Sequence, residues 1–186
     1  MSPITINGNG TVSGITAGGL ISQVVTSTNN YTEVHTGTAN TEYTINSASG
    51  TAWEPQITIT QGNKVHISLT LYLGKSSGGD ANAYFDVYYK VDSGSYTKVA
   101  AGASLGSRSQ HLGNIRSYAG GYNIEESSAQ AEITPSISGS TGVITFQVRL
   151  TQRAGSNRAM HVNHTEQDNS EGGTTVSTFT AMEITA

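Results

Sequence analysis

The sequence predicts an all-β protein, an antiparallel jelly-roll sandwich, and three observations carry that prediction. Ile, Val and Thr supply 51 of the 186 residues while Leu supplies only 7, and branching at Cβ suits a pleated surface better than a helix. Long segments alternate apolar and polar residues with a period of two, the mark of a strand with one buried and one wetter face. Gly-rich breaks at 74–79, 138–142 and 171–173 punctuate these segments, and no stretch has the spacing of an amphipathic helix. Eight or more short strands in about 165 residues fit a sandwich or barrel, with the jelly roll as the expected form.

Along the chain, residues 1–21 come first and differ from the rest. They are uncharged, with Ile4, Ile6, Val12, Ile15 and Leu20 set singly among glycines. So many glycines carry a high ordering entropy, so the segment is ordered only where something holds it. One reading makes it an extra edge strand on its own domain. The other makes it an extended anchor that lies on a partner chain, with those five apolar residues as the contacts, and this second reading is the expectation.

Residues 22–186 then form the jelly-roll domain. Val24–Thr36, Glu42–Asn46 and Gln56–Thr60 are its first expected strands. In Lys64–Leu73, Val65, Ile67, Leu69, Leu71 and Leu73 share one face, and His66, Ser68, Thr70 and Tyr72 the other. Tyr84–Val91 alternates in the same way. The turn residues Asp92, Ser93, Gly94 and Ser95 connect it to Tyr96–Ala100, which reads as a hairpin. Ala129–Ile133, Val143–Gln152, Ala159–His164 and Thr174–Ile184 complete the set. Within Val143–Gln152, Phe146 falls on the apolar face and Gln147 on the polar one. Ala101–Ser128 lacks alternation, and a connection that long in a compact domain is usually functional or part of an interface.

Composition bounds the function. A chain of this mass buries roughly 70% of its unfolded surface, enough for one domain with a real core. That core is lean, because Leu, Ile, Val and Phe make only 36 of 186 residues. Sharing apolar surface between subunits would relieve it, so oligomerisation is expected. A net charge of −4 with scattered basic residues argues against nucleic-acid binding, which needs a dense positive face. No apolar run approaches the roughly 20 residues of a membrane helix. No Lys or Arg precedes Lys64, so the charged start of a signal peptide is missing. The absence of cysteine removes disulfides, thiolate nucleophiles and cysteine-ligated metals.

Candidate chemistry is sparse. His161 and His164, followed by Glu166, Asp168 and Glu171, form the densest set of metal-ligating types. A spacing of three on a strand puts the two imidazoles on opposite faces unless the chain bends at Asn163, and zinc needs three or four converging ligands. The expectation is a solvated turn with no metal and no cofactor. Glu125 and Glu126 are adjacent and diverge on an extended segment, so they do not form a glycosidase pair. No nucleophile elbow, phosphate loop or dinucleotide fingerprint is present. The chain is therefore expected not to be an enzyme. Within 101–128, Tyr118, Tyr122 and Asn123 sit among Gly and Ser, a composition typical of adaptable recognition surfaces. With Arg108, His111 and Arg116 they form a candidate recognition loop, the alternative being tyrosines that cover the end of the sandwich or pack between subunits. Trp53, ahead of Glu54 and Pro55, reads as a core or interface anchor.

Both termini also carry a resemblance. The segment ITINGNGTVSGITAGGL (4–20) resembles the leading segments of tailed-bacteriophage virion proteins. The segment TVSTFTAMEITA (175–186) resembles the closing strand of phage trimeric head domains. The resemblance implies a tumour-necrosis-factor-like jelly roll that assembles as a homotrimer and is structural or adhesive, with no catalytic residues. The expected function is a non-enzymatic virion protein, a capsid decoration or cement protein that binds the capsid surface through its arm. Its partners would be itself and the major capsid protein or another virion protein, and its location the virion, after synthesis in the host cytoplasm. The arm is short for a fibre shaft, which places a tail-fibre or baseplate tip recognising a host surface glycan second. A polysaccharide-degrading enzyme stands as a remote third reading.

Overall fold

The computed structural model describes residues 5–6, 12–13, 20–36, 40–75, 81–99, 110–117, 123–152, 159–166 and 172–186. Every regular element among them is a strand. Strands β1 (Thr5–Ile6) and β2 (Val12–Ser13) pair antiparallel with Ile6 opposite Val12. Ile4 and Ile15 lie outside the described residues. The body of the molecule begins with β3 (Ile21–Asn29) and β4 (Glu33–His35). β5 (Glu42–Thr44), a small hairpin of β6 (Asn46–Ala48) and β7 (Thr51–Ala52), and β8 (Gln56–Thr60) follow. Next come β9 (Lys64–Lys75), β10 (Ala81–Val91), β11 (Thr97–Lys98) and β12 (Gly113–Ser117). The last four are β13 (Ile124–Ile133), β14 (Thr141–Gln152), β15 (Met160–Val162) and β16 (Ser177–Ile184).

Several short strands continue one another end to end, so the strands form eight lanes in two antiparallel sheets. In the first sheet, β3 and β4 share an edge lane, β16 and β15 share the next, then come β9 and β13. In the second, β8 and β5 share an edge lane, followed by β14, β10 and a lane shared by β11 and β12. Numbered in chain order, the lanes read 1-8-3-6 in one sheet and 2-7-4-5 in the other. Successive lanes cross between the sheets, apart from the hairpin of lanes 4 and 5. This is a jelly roll, the fold expected from the alternating pattern.

The core lies between the sheets. Val65, Ile67, Leu69, Leu71 and Leu73 of β9 face Phe85 and Val87 of β10 and Ile144, Phe146 and Val148 of β14, all buried. Phe146 of the second sheet meets Phe179 of the first with ring centroids 4.9 Å apart, and Trp53 sits edge-on to Phe179 at 6.3 Å. Trp53 is thus a core anchor, and its Nε1 donates to Ser27 Oγ at 2.9 Å. The expected hairpin is present: Tyr89 pairs with Thr97, and Asp92 takes a left-handed φ of 48°.

Two expectations need correction. The stretch 101–128 is not strand-free, because β12 pairs with β10 and Ile124–Ser128 opens β13 along β9. Gln147 was expected on a wet face, yet it is only 8% exposed. On the outer face of β14, Glu54 and Tyr96 lie over Gln147 and Arg149, so that strand is packed on both sides.

Candidate functional site

Four regions hold the chemistry-bearing residues: the root of the segment between β11 and β12, the outer face of the second sheet, the turn after β15, and the outer face of the first sheet. The first is built on Asp86. Alternation in β10 points Phe85 and Val87 inward, so Asp86 faces outward, yet it is 1% exposed because residues 110–112 run over it. Asp86 Oδ2 accepts from Lys98 Nζ at 2.7 Å and lies 2.7 Å from His111 Nδ1, while Oδ1 accepts from the Leu112 N–H at 2.9 Å. Lys98 Nζ also donates to the Gln110 carbonyl at 2.7 Å, and the His111 ring stacks on Tyr84 at 4.1 Å. One buried carboxylate therefore pins both ends of the chain that leaves β11 and returns to β12. An unpaired buried carboxylate would be strongly unfavourable, so three donors converging on it make a rigid footing.

Among the predicted recognition residues, the structure places His111 at this footing and Asn123 exposed at the start of β13. Arg116 sits on β12 opposite Asn82. Arg108, Tyr118 and Tyr122 lie outside the described residues. Of the predicted anchor residues, Ile6 and Val12 pair in the β1–β2 hairpin. The Leu20 N–H donates to Thr185 Oγ1 at 3.2 Å and its carbonyl accepts from the Thr185 N–H at 2.9 Å.

On the outer face of the second sheet, Arg149 is the hub. Its guanidinium lies 4.0 Å over the Tyr88 ring and 5.6 Å from the Tyr96 ring, and it donates to Glu42 at 2.9 Å and to Gln147 Oε1 at 2.9 Å. Gln147 Nε2 donates to Glu54 at 3.0 Å. The Tyr88 and Tyr96 hydroxyls donate to Glu42 and Glu54 at 2.8 and 2.7 Å. Burial, followed by the hydrogen bond to Glu42, pushes the Tyr88 hydroxyl up to about 12. Tyr96 moves the same way, through burial and its bond to Glu54. Both phenols stay protonated donors, and the network is closed on itself.

The bend that would bring the two histidines together does occur. β15 ends at Val162, Asn163 takes a left-handed φ of 61°, and the His161 and His164 rings meet edge-on at 4.8 Å. A Cβ at Gly74 would run into the His164 carbonyl, so glycine there lets the turn lie on β9. Burial and then His164 hold His161 below the ordinary imidazole value, with Glu166 opposing. Asp168 and Glu171 lie outside the described residues, and no group of three metal-ligating side chains occurs among the described ones. Glu126 faces outward to the Tyr72 hydroxyl, 3.1 Å away, and Glu125, one residue before it, points to the opposite side of β13.

The outer face of the first sheet was missed as a site by the sequence reading. Its strand register lines up Thr28, Thr178, Thr70 and Ser128 across all four lanes. The next row is Thr26, Thr180, Ser68 and Gln130. Beyond it, Val24 lies opposite Met182, and Ile21 opposite Ile184. Thr26 and Thr180 hydroxyls are 3.1 Å apart, and those of Thr70 and Ser128 3.2 Å. Among the described residues, the exposed large aliphatics are Ile21 (57%), Val24 (55%), Val34 (49%) and Val176 (44%), all in or beside the outer lanes of this sheet. The signal was present as valines and isoleucines on the threonine-rich face. It becomes readable only once pairing shows that they share a side.

No known family and no curated protein matches the chain. Among solved structures, the chain is similar to infectious bursal disease virus, Gx strain, at 12% identity and a TM-score of 0.42. It is similar to the VP2 subviral particle of the same virus at 12% identity and a TM-score of 0.41. Each match covers 100% of this chain and 42% of the other, so the chain spans about two fifths of those proteins. At that identity and TM-score, nothing about function follows from the likeness.

Proposed function

We propose that this chain is a non-enzymatic structural protein of a tailed-phage virion, a homotrimeric jelly-roll head that decorates the capsid and binds it through residues 1–19, the part of the expected 1–21 arm that precedes the head's own edge strand. The observation that carries the reading is where that segment joins the head. Leu20 is fastened to Thr185 through both backbone groups, and Ile21 opens the edge strand β3. The segment with the phage-like pattern therefore leaves the jelly roll at a sheet edge, beside the phage-like closing strand β16. An uncharged, Gly-spaced segment with single aliphatics suits addition to a neighbouring strand or groove, where backbone hydrogen bonds supply affinity.

The test uses capsids lacking this protein. Full-length chain should bind them, and a chain without residues 1–20 should stay folded and fail to bind. Binding by the truncated chain would overturn the arm's role. A second reading, a tip that recognises a host surface glycan, is favoured by the Asp86 footing, which fixes His111 at the end of the Arg108-bearing segment between β11 and β12. Retention on immobilised host polysaccharide, abolished by His111→Ala, would support that reading over capsid decoration.

A further inference from the structure

We infer that the outer face of the first sheet, together with the free edge of β3, is the surface on which copies of this chain pack against one another. The inference rests on the homotrimer proposed above and names the contact that it would use. Three observations converge on this face. It carries the exposed large aliphatics found among the described residues, with Ile21 and Val24 joined by the half-buried Met182 and Ile184 into one apolar corner. Contiguous apolar surface of this kind marks an interaction site.

Next to that corner, the centre of the face is uncharged. Two hydroxyl rows cross it, and every Ser or Thr hydroxyl both donates and accepts, so the face is complementary to a copy of itself. Charge lies on the β9 and β13 lanes, where Lys64, opposite Ile184, is neutralised by Glu132 at 2.8 Å, His66 lies opposite Met182, and Glu126 is held by Tyr72. A copy therefore meets no like charge at the centre, whereas a strongly charged partner would find nothing to pair with.

The edge adds the third observation. β3 pairs with β16 on one side, and among the described residues no strand pairs with its other side. Its sequence, Ile21–Asn29, contains no charged residue and no proline. Such an edge lacks the usual protection against pairing with another chain, which fits a strand covered in the assembled state. The second sheet offers no comparable face, because its centre is occupied by the charged network of Arg149, Glu42 and Glu54.

The experiment measures mass by light scattering for the wild type and for Val24→Asp, Thr180→Arg and a control, Thr58→Arg, on the outer face of the second sheet. The wild type and the control should give a multiple of 19.4 kDa. Val24→Asp and Thr180→Arg should fall to the single-chain mass with unchanged circular dichroism. Oligomeric Val24→Asp and Thr180→Arg would overturn this surface while leaving the homotrimer standing. A monomeric wild type would overturn both, and would mean that the face is covered by a different virion protein. Because the chain has no cysteine, Thr180→Cys and Thr58→Cys give a second readout on assembled protein. Maleimide should label position 180 many-fold more slowly than position 58. Equal rates would also overturn the proposal.

Discussion

Glu183 is buried at the end of β16, where its Oε1 accepts from the Thr60 N–H and from Asn63 Nδ2, both at 2.7 Å. Burial alone would push the carboxyl up, but these bonds and one from Ser22 outweigh it and hold it below the ordinary carboxylate value. Its folded state thus favours the ionised form, so its contribution to stability is fully present above the unfolded value and is lost as pH falls on through the lower folded one. His161 acts in the same direction. The fold favours its neutral form, while the unfolded chain takes up a proton near 6.5, so stability declines as pH drops below that value and on through the lower folded one. Denaturant titrations should show stability falling between roughly pH 7 and 5 and again between roughly pH 5 and 3. His161→Gln should flatten the first step and Glu183→Gln the second. A wild-type profile level from pH 7 to 3 would contradict both assignments. Neither residue was legible as a titrating site in the sequence. His161 needed the φ of Asn163 to meet His164, and Asp86 finds His111 only because β10, β11 and β12 lie side by side.

At the scale of elements, legibility followed periodicity. β9 and β14 were readable because their apolar faces alternate without interruption over ten residues or more. β12 was not, since Gly113–Ser117 holds one aliphatic residue, Ile115, and its place is set by pairing with β10. Leu69 and Phe146, both fully buried, should lose about 2–5 kcal/mol when truncated to Ala, through lost transfer energy and a residual cavity. Their neighbours separate the strands. Thr70 is half-buried and its hydroxyl meets Ser128, so Thr70→Ala should cost about 1 kcal/mol or less. Gln147→Ala strips partners from Glu54 and Arg149 under cover and should cost about 1–3 kcal/mol. Urea unfolding of the four variants measures this directly. Equal losses at Thr70 and Gln147 would mean that the coverage of β14's outer face is not stabilising.

Across the whole molecule, the sandwich closes through its edge lane. The first strand of the sandwich, β3, carries Ser27, which receives the Trp53 indole N–H, and Asn29, whose Nδ2 donates to the Asn46 carbonyl at 2.8 Å. Asn163 Nδ2 in turn donates to the Asn29 and Tyr31 carbonyls, and Asn163 Oδ1 accepts from Ser177 Oγ at 2.6 Å. Strand β3, the β6 hairpin, the turn after β15 and the start of β16 are therefore tied at one corner over the Trp53–Phe179 contact. Among the described residues, none before Leu20 bonds to this corner. A chain beginning at Leu20 should accordingly melt cooperatively within a few degrees of the full-length chain, since small surface changes shift stability little. A chain beginning at Asn30 loses the whole β16–β3 ladder, uncovers the Phe179 side of the core and leaves the Trp53 indole N–H and an Asn163 donor unpaired. It should populate no cooperative folded state at 25 °C, as read by thermal melting and near-ultraviolet circular dichroism. If both truncations melt like the full chain, β3 is an accessory strand and the jelly roll closes without it. If the shorter truncation already abolishes the transition, residues 1–19 belong to the head itself and the anchor proposed for them has to be given up.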